Sequence, residues 1–312
     1  MPRLTRRRWV QILSTVVLNP IVPNYFTGTI VQAQSKGICV PVLNCYSCPA
    51  AIGACPIGSL QHAVASIRFR LSTGEFQAGL YVLGSLGVVG SLVGRFPCGW
   101  LCPFGLLQEV LHKIPGPKLR LPRILKYLKY IILALTVFIL PALVLNAAGF
   151  GETWFCKWIC PAGTLEAGLP LVAADADIRS MVGLLFVWKV ALLVAFVLWM
   201  IVSLRPFCRT ICPLGAILGL FNKISLLRLT VDHRRCLSCG SCSRACPVDL
   251  DVPTQPNSPE CIRCLKCIKA CDAGCIGYRF SPHEPAVEAD RPVEQEAAAA
   301  GSPPDGPRRR PG

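Results

Sequence analysis

Charge is scarce in this 312-residue chain: Asp, Glu, Lys and Arg make up 16% of it, with 17 acidic residues against 32 basic ones. Residues 76–94 and 130–151 carry no charge at all, and 181–204 carry only Lys189. The net charge of +15 does not signal nucleic-acid binding, because no helix carries a sustained basic face. The basic residues gather beside apolar runs instead, where they read as determinants of membrane topology. At 53% hydrophobic residues, the chain is too long and too apolar for a small disulfide scaffold despite its 19 cysteines.

A hydrocarbon core takes about 20 apolar residues to cross. Residues 76–94, 130–151 and 181–204 meet that requirement, with Lys189 near enough to one end to snorkel. Residues 9–31 form a weaker fourth candidate, interrupted by Asn19, Pro20, Pro23 and Asn24 and preceded by Arg6, Arg7 and Arg8. That segment reads as an uncleaved anchor or a cleaved signal, and either reading places residue 35 onward outside. Lys113, Lys118, Arg120, Arg123 and Lys126 mark the next loop as cytoplasmic, and the basic stretch after Arg205 likewise.

Against this background the run Cys-Pro-x-Gly-x-(Leu/Ile) occurs four times, from Cys55, Cys102, Cys160 and Cys212. Cys98, Cys156 and Cys208 complete three copies four residues upstream, and the first copy has Cys45 and Cys48 further back. One crossing separates each copy from the next, so the copies alternate sides as an inverted repeat. Cys98, Cys102, Cys208 and Cys212 then share the inner side, which offers four thiolates to one [4Fe–4S] cluster. Cys45, Cys48, Cys55, Cys156 and Cys160 share the outer side, with Cys39 in reserve. Residues four apart on a helix lie on one face. Proline after the second cysteine suits the first helical position, so that cysteine sits at a helix N-terminus that favours anions. Packing, disulfides, zinc and copper remain open for these cysteines. Gln61, Gln108, Glu166 and Leu218 stand six positions after the last cysteine of each copy. They read either as first-turn residues facing an interface or as groups touching a quinone or a proton path.

From Asp232 two Cys-x2-Cys-x2-Cys-x3-Cys runs follow, the ferredoxin spacing. In two-cluster ferredoxins the fourth cysteine of each run serves the other cluster. One set is then Cys236, Cys239, Cys242 and Cys271, and the other Cys261, Cys264, Cys267 and Cys246. Asp272 stands where proline is usual, and Cys275 is a spare thiol or a substitute for Cys271. The segment 281–312, rich in Pro, Ala, Glu, Gly and Arg without periodicity, reads as a disordered tail.

On FPCGWLCPFG (96–105), FCKWICPAGTLEAG (155–168), RPFCRTICPLGAILGLFNKIS (205–225) and the paired ferredoxin runs, the chain resembles the NapH/NosR-like polytopic iron–sulfur proteins. The resemblance implies an electron carrier between the quinone pool or cytosolic donors and a periplasmic reductase, and a related group serves copper reduction during oxidase assembly. The chain departs from the pattern in its third Cys-x3-Cys-Pro copy and its early NCYSCPAAIGACPIG segment (44–58), and it has no long flavin-binding domain.

The fold expected is a multi-pass α-helical membrane protein of about four transmembrane helices with inverted Cys-Pro repeats, ending in a small α+β ferredoxin-like domain. Its parts are an anchor (1–35), an extracytoplasmic Cys-rich segment (36–75), a membrane domain (76–230), the two-cluster domain (231–280) and the tail. The function expected is a membrane electron conduit of the bacterial inner membrane, with the C-terminal domain cytoplasmic. It would hold two [4Fe–4S] clusters, with one or two more at the membrane motifs and quinone as a further candidate. A quinol-dehydrogenase-type subunit fits this reading. Lipid and a redox protein are the expected partners, and nucleic acid is not. The rival is a maturation factor that handles metal or thiols for a metalloenzyme.

Overall fold

The computed structural model describes residues 5–30, 34–67, 78–146 and 151–281. The tail expected at 281–312 falls outside them but for its first residue, as do residues 76–77 and 147–150 of two expected spans.

Among the described residues, two helices are long and apolar enough to cross a membrane, Arg123–Leu143 and Leu184–Val202. The uncharged helix Ala78–Val93 is shorter, at 16 residues. Residues 133–139 of the first long helix run as a π-helix, followed by Pro141. The N-terminal helix, expected as an anchor, is Arg6–Leu18, only 13 residues. At 1.5 Å per residue that is about 20 Å, shorter than a full span. It ends at Asn19, where Pro20 removes the next donor. One face carries buried Arg7 and Gln11 onto the Gly99 carbonyl, while Trp9, Leu13, Val16 and Val17 stand exposed.

Every Cys-Pro copy starts a helix. Pro56, Pro103, Pro161 and Pro213 each take the first helical position, and Cys55, Cys102, Cys160 and Cys212 are the N-caps. The missing proline N–H is one that a first turn leaves unused. The preceding cysteines lie on short turns: Phe96–Trp100 and Pro206–Thr210 are α-helical, whereas Phe155–Ile159 is a π turn.

The C-terminal part closes on itself through an antiparallel pair, Leu227–Val231 with Ile276–Phe280, in register from Leu227 opposite Phe280 to Val231 opposite Ile276. Two short helices, Ser241–Arg244 and Lys266–Lys269, carry its cysteines. This unit is docked onto the helical part by buried polar contacts. Glu260 meets both Arg95 and Lys129, and the Arg263 guanidinium donates to the carbonyls of Val93 and Asn222. Trp100 Nε1 donates to the Arg263 carbonyl at 3.0 Å.

Candidate metal centres

The cysteines gather into four sets. Cys246, Cys261, Cys264 and Cys267 face one another around a space also lined by Val248, Leu250 and Ile262. This near set draws Cys246 from the first run and the other three from the second. The terminal set is more open: Cys239 is exposed and Cys242 buried. Here Cys275 enters. Its sulfur lies 3.2 Å from that of Cys271 and also against Cys236.

Cys98, Cys102, Cys208 and Cys212 form the central set, all buried, each facing the other three. Two arginines clamp it reciprocally. Arg95, three residues before Cys98, donates to the Cys208 carbonyl at 3.0 Å, and Arg205, three before Cys208, donates to the Cys98 carbonyl at 2.8 Å. The repeated glycines make room for them: a Cβ at Gly105 would press on the Arg205 guanidinium, and one at Gly215 on that of Arg95. Arg205 adopts φ 52°, a left-handed conformation uncommon for a side chain of its size. Gln108 Nε2 donates to the Cys208 sulfur at 2.9 Å.

The far set repeats the plan with other residues. Cys45, Cys55, Cys156 and Cys160 line one side of a cavity of about 380 Å³ that also reaches Tyr46, Thr153, Lys157 and Lys189. Gln61 Nε2 donates to the Cys156 sulfur at 3.1 Å, as Gln108 does in the central set. Glu166 accepts the Cys45 N–H at 2.6 Å. Burial pushes its carboxyl up to about 7, with that N–H pulling the other way. Cys48, expected in this group, turns away: its sulfur sits 3.1 Å from the Tyr25 hydroxyl and 3.6 Å from Asn19 Oδ1. Cys39 pairs its backbone with Ala54 and donates its N–H to the Tyr81 hydroxyl at 3.4 Å, apart from the set.

The near, central and far sets adjoin in turn. Gly99, next to Cys98, abuts the near set so closely that an added Cβ would strike the Ile262 carbonyl and sit 3.6 Å from the Cys264 Cα. The Leu43 N–H points at the Cys102 sulfur, while two residues on Cys45 belongs to the far set. Cys55 lies near enough to Cys212 to feel its charge. The central and far sets are therefore neighbours within one packed core rather than a bilayer apart.

An iron–sulfur cluster fits these donors. Burial pushes Cys45 up to about 12 and Cys156 and Cys261 up to about 11. Without a metal these thiols stay protonated at neutral pH, and ligation displaces the protons. The charges around the central set also call for an anion. Glu109 is shared by Arg7 and Arg205, and Glu260 by Arg95 and Lys129, so one positive charge at each is uncompensated. Although burial alone would raise it, Arg205 and Arg7 hold the Glu109 carboxyl down at about 2. Arg95 Nε has no hydrogen-bond partner, and Arg205 Nη2, 2.9 Å from Glu109 Oε1, is off the hydrogen-bond line. A cluster held by four thiolates is a net anion that meets this excess.

Reading the basic residues as topology determinants passed over Arg95, Arg205, Arg209 and Arg263, all buried. The signal was Arg-x-x-Cys in the second and fourth copies, against Thr153 before Cys156 in the third.

A sequence profile described as "4Fe-4S binding domain" matches residues 53–74, 78–122, 133–169 and 184–231, and one described as "4Fe-4S dicluster domain" matches 228–272. An uncharacterised protein of Methanocaldococcus jannaschii is 28% identical over 67% of this chain and 81% of its own length. The putative electron transport protein YccM of Escherichia coli is 26% identical over 64% of this chain and 54% of its own. The methylamine utilization ferredoxin-type protein MauN of Methylorubrum extorquens is 32% identical over 56% of each. The chain thus spans about half the length of the named relatives. No solved structure matches it. With Cys-Pro motifs and a dicluster segment matched in one chain, the protein belongs to the ferredoxin-type 4Fe-4S electron-transport family that includes NapH, NosR, MauN and YccM.

Proposed function

We propose that this protein is a membrane-embedded conduit that carries single electrons through four iron–sulfur clusters in series. The terminal cluster is held by Cys236, Cys239 and Cys242 with Cys271 or Cys275, and the near one by Cys246, Cys261, Cys264 and Cys267. The central one is held by Cys98, Cys102, Cys208 and Cys212, and the far one by Cys45, Cys55, Cys156 and Cys160. Bound there, each cluster takes up and releases one electron. The protein supplies contact between sites and a dry, charged surround: Gly99 brings the Ile262–Cys264 backbone against Cys98, and Leu43 bridges Cys102 to the far set. Carrying the reading is the succession of near, central and far sets, whose cysteines lie far apart in sequence. A hydrocarbon core about 30 Å thick is then crossed in short steps between sunken sites, with no quinone needed as a bridge.

The chain crosses the cytoplasmic membrane several times with the ferredoxin unit inside, as its basic loops indicate. The partners are a reduced donor at the terminal set and an oxidising protein at the far cavity. Anaerobic purification with iron and sulfide analysis tests the proposal: about sixteen irons per chain are expected at four per cluster. About eight irons, with no loss on Cys102→Ser or Cys160→Ser, would sink it and leave a two-cluster ferredoxin on a structural base.

A further inference from the structure

We infer that the central set is the electron reservoir of the chain, held at a higher potential than the far set by the reciprocal guanidinium clamp of Arg95 and Arg205. The inference rests on the reading that both sets carry clusters.

The two sets are built alike in most respects. Each pairs cysteines from two Cys-Pro copies whose second cysteine caps a proline-initiated helix. Each receives one glutamine N–H on a sulfur from the copy opposite, Gln108 to Cys208 at 2.9 Å and Gln61 to Cys156 at 3.1 Å. Hydrogen bonds to sulfur raise a cluster's potential, but here they act equally on both.

Fixed charge differs. Arg95 and Arg205 are fully buried, each reaching across to the other copy's cysteine carbonyl. Behind them Lys129 and Arg7 share Glu260 and Glu109 with the two arginines, and Arg209, next to Cys208, pairs with Asp249, so five cations meet three carboxylates and the surround is positive. Around the far set Thr153 stands at the arginine's position in the third copy and Cys48 in the first. The charged groups around it are less buried: Glu166, on the Cys45 N–H; Lys189, whose Nζ is 3.4 Å from the Cys156 carbonyl; Lys157, paired with Glu152 at 2.7 Å; and Lys36, on the Tyr46 and Cys48 carbonyls at 3.1 Å. Reduction adds one negative charge to a cluster. In a low-dielectric interior that charge is stabilised by buried cations far more than by screened ones.

Of these two sets, an electron therefore settles at the central one. The step to the far set is uphill and completes only when an oxidant is docked at the cavity to draw the electron on. That arrangement limits leakage to small oxidants at the cavity mouth.

The test is an EPR-monitored redox titration of the full-length protein, purified anaerobically in nanodiscs. Signals are assigned by loss in Cys102→Ser (central) and Cys160→Ser (far), with iron counts on each. At the far midpoint the central signal should be reduced by at least about tenfold over its oxidised form, a separation of about 59 mV for one electron. In Arg95→Gln the central midpoint should fall toward the far one while the far midpoint stays, and Arg95→Lys should restore much of the difference. Equal midpoints, or a central midpoint below the far one, in wild-type protein overturn the inference whatever the variants do, and leave the conduit reading standing. An unchanged iron count in Cys160→Ser overturns both.

Discussion

At the scale of single residues, most of the chemistry is set by which atom faces a sulfur. Cys271 and Cys275 place their sulfurs 3.2 Å apart, too close for both to serve separate irons of one cluster. Cys275 is the buried one, set against Cys236. Cys271→Ser is accordingly expected to retain its cluster through Cys275, while the double variant Cys271→Ser/Cys275→Ser loses about four irons; an intact iron count in the double variant would remove both from the ligand set. The glutamines are a second case. Gln108→Ala removes the N–H on Cys208 and should lower the potential of the central set alone, by roughly 60 mV or less, the equivalent of up to about 1.4 kcal/mol. Gln61→Ala should do the same to the far set alone, and a titration that moved both sets together would point to general loosening instead.

At the scale of elements, the docking of the ferredoxin unit depends on buried charge and close backbone contact. Glu260 is the shared counter-ion of Arg95 and Lys129. Glu260→Gln leaves both cations without it and is expected to cost about 3–5 kcal/mol, because an uncompensated buried charge costs more than the pair gained. Amide exchange should rise along 259–264, where the contacts lie. Asp249→Asn, at the half-exposed end of the Arg209 pair, should cost about 1 kcal/mol or less. Gly99→Ala tests the backbone contact, since its Cβ would strike the Ile262 carbonyl. Gly87→Ala, with nothing within 4 Å, serves as the control and should be neutral or mildly stabilising. If both alanine variants behave alike by amide exchange across the interface, the close approach at Gly99 is not what holds the unit.

For the whole molecule, sidedness remains the property that sequence charge alone proposes. Reporter fusions after residues 66, 118, 175 and 281 are expected to read outside, inside, outside and inside, following the lysine and arginine asymmetry. Two successive reporters on one side would end the alternation of the Cys-Pro copies. Two helices of spanning length, Arg123–Leu143 and Leu184–Val202, stand among the described residues. The 13-residue N-terminal helix does not add a full span: it runs beside the cages from Gly99 to Asn44, tied by Arg7 and Gln11 at one end and Asn19 at the other.

What the sequence determined by itself is local and repetitive. Proline after cysteine specifies a helix start, and the ferredoxin runs specify which cysteines can share a cluster, because each relation involves only a few residues of backbone; the four-residue cysteine spacing, expected on one helical face, instead straddles a short helix and the extended cap of the next. What the tertiary structure decided is everything that depends on packing across the chain. Arg205 reaches Cys98 across 107 residues and Gln108 reaches Cys208 across 100. Composition could not separate such arginines from loop arginines that set topology, since burial is not written in a residue's type. Tertiary packing also turned Cys48 toward Tyr25 while Cys45 joined the far set, although both belong to one Cys-x2-Cys pair. It set the depth of the cages too. Alternating copies suggested centres on opposite faces of a membrane, but Leu43 against Cys102 and Cys55 near Cys212 place the two sets side by side. The short helices that begin at each Cys-Pro pair dip toward one another in the core, and only their packing fixes how far.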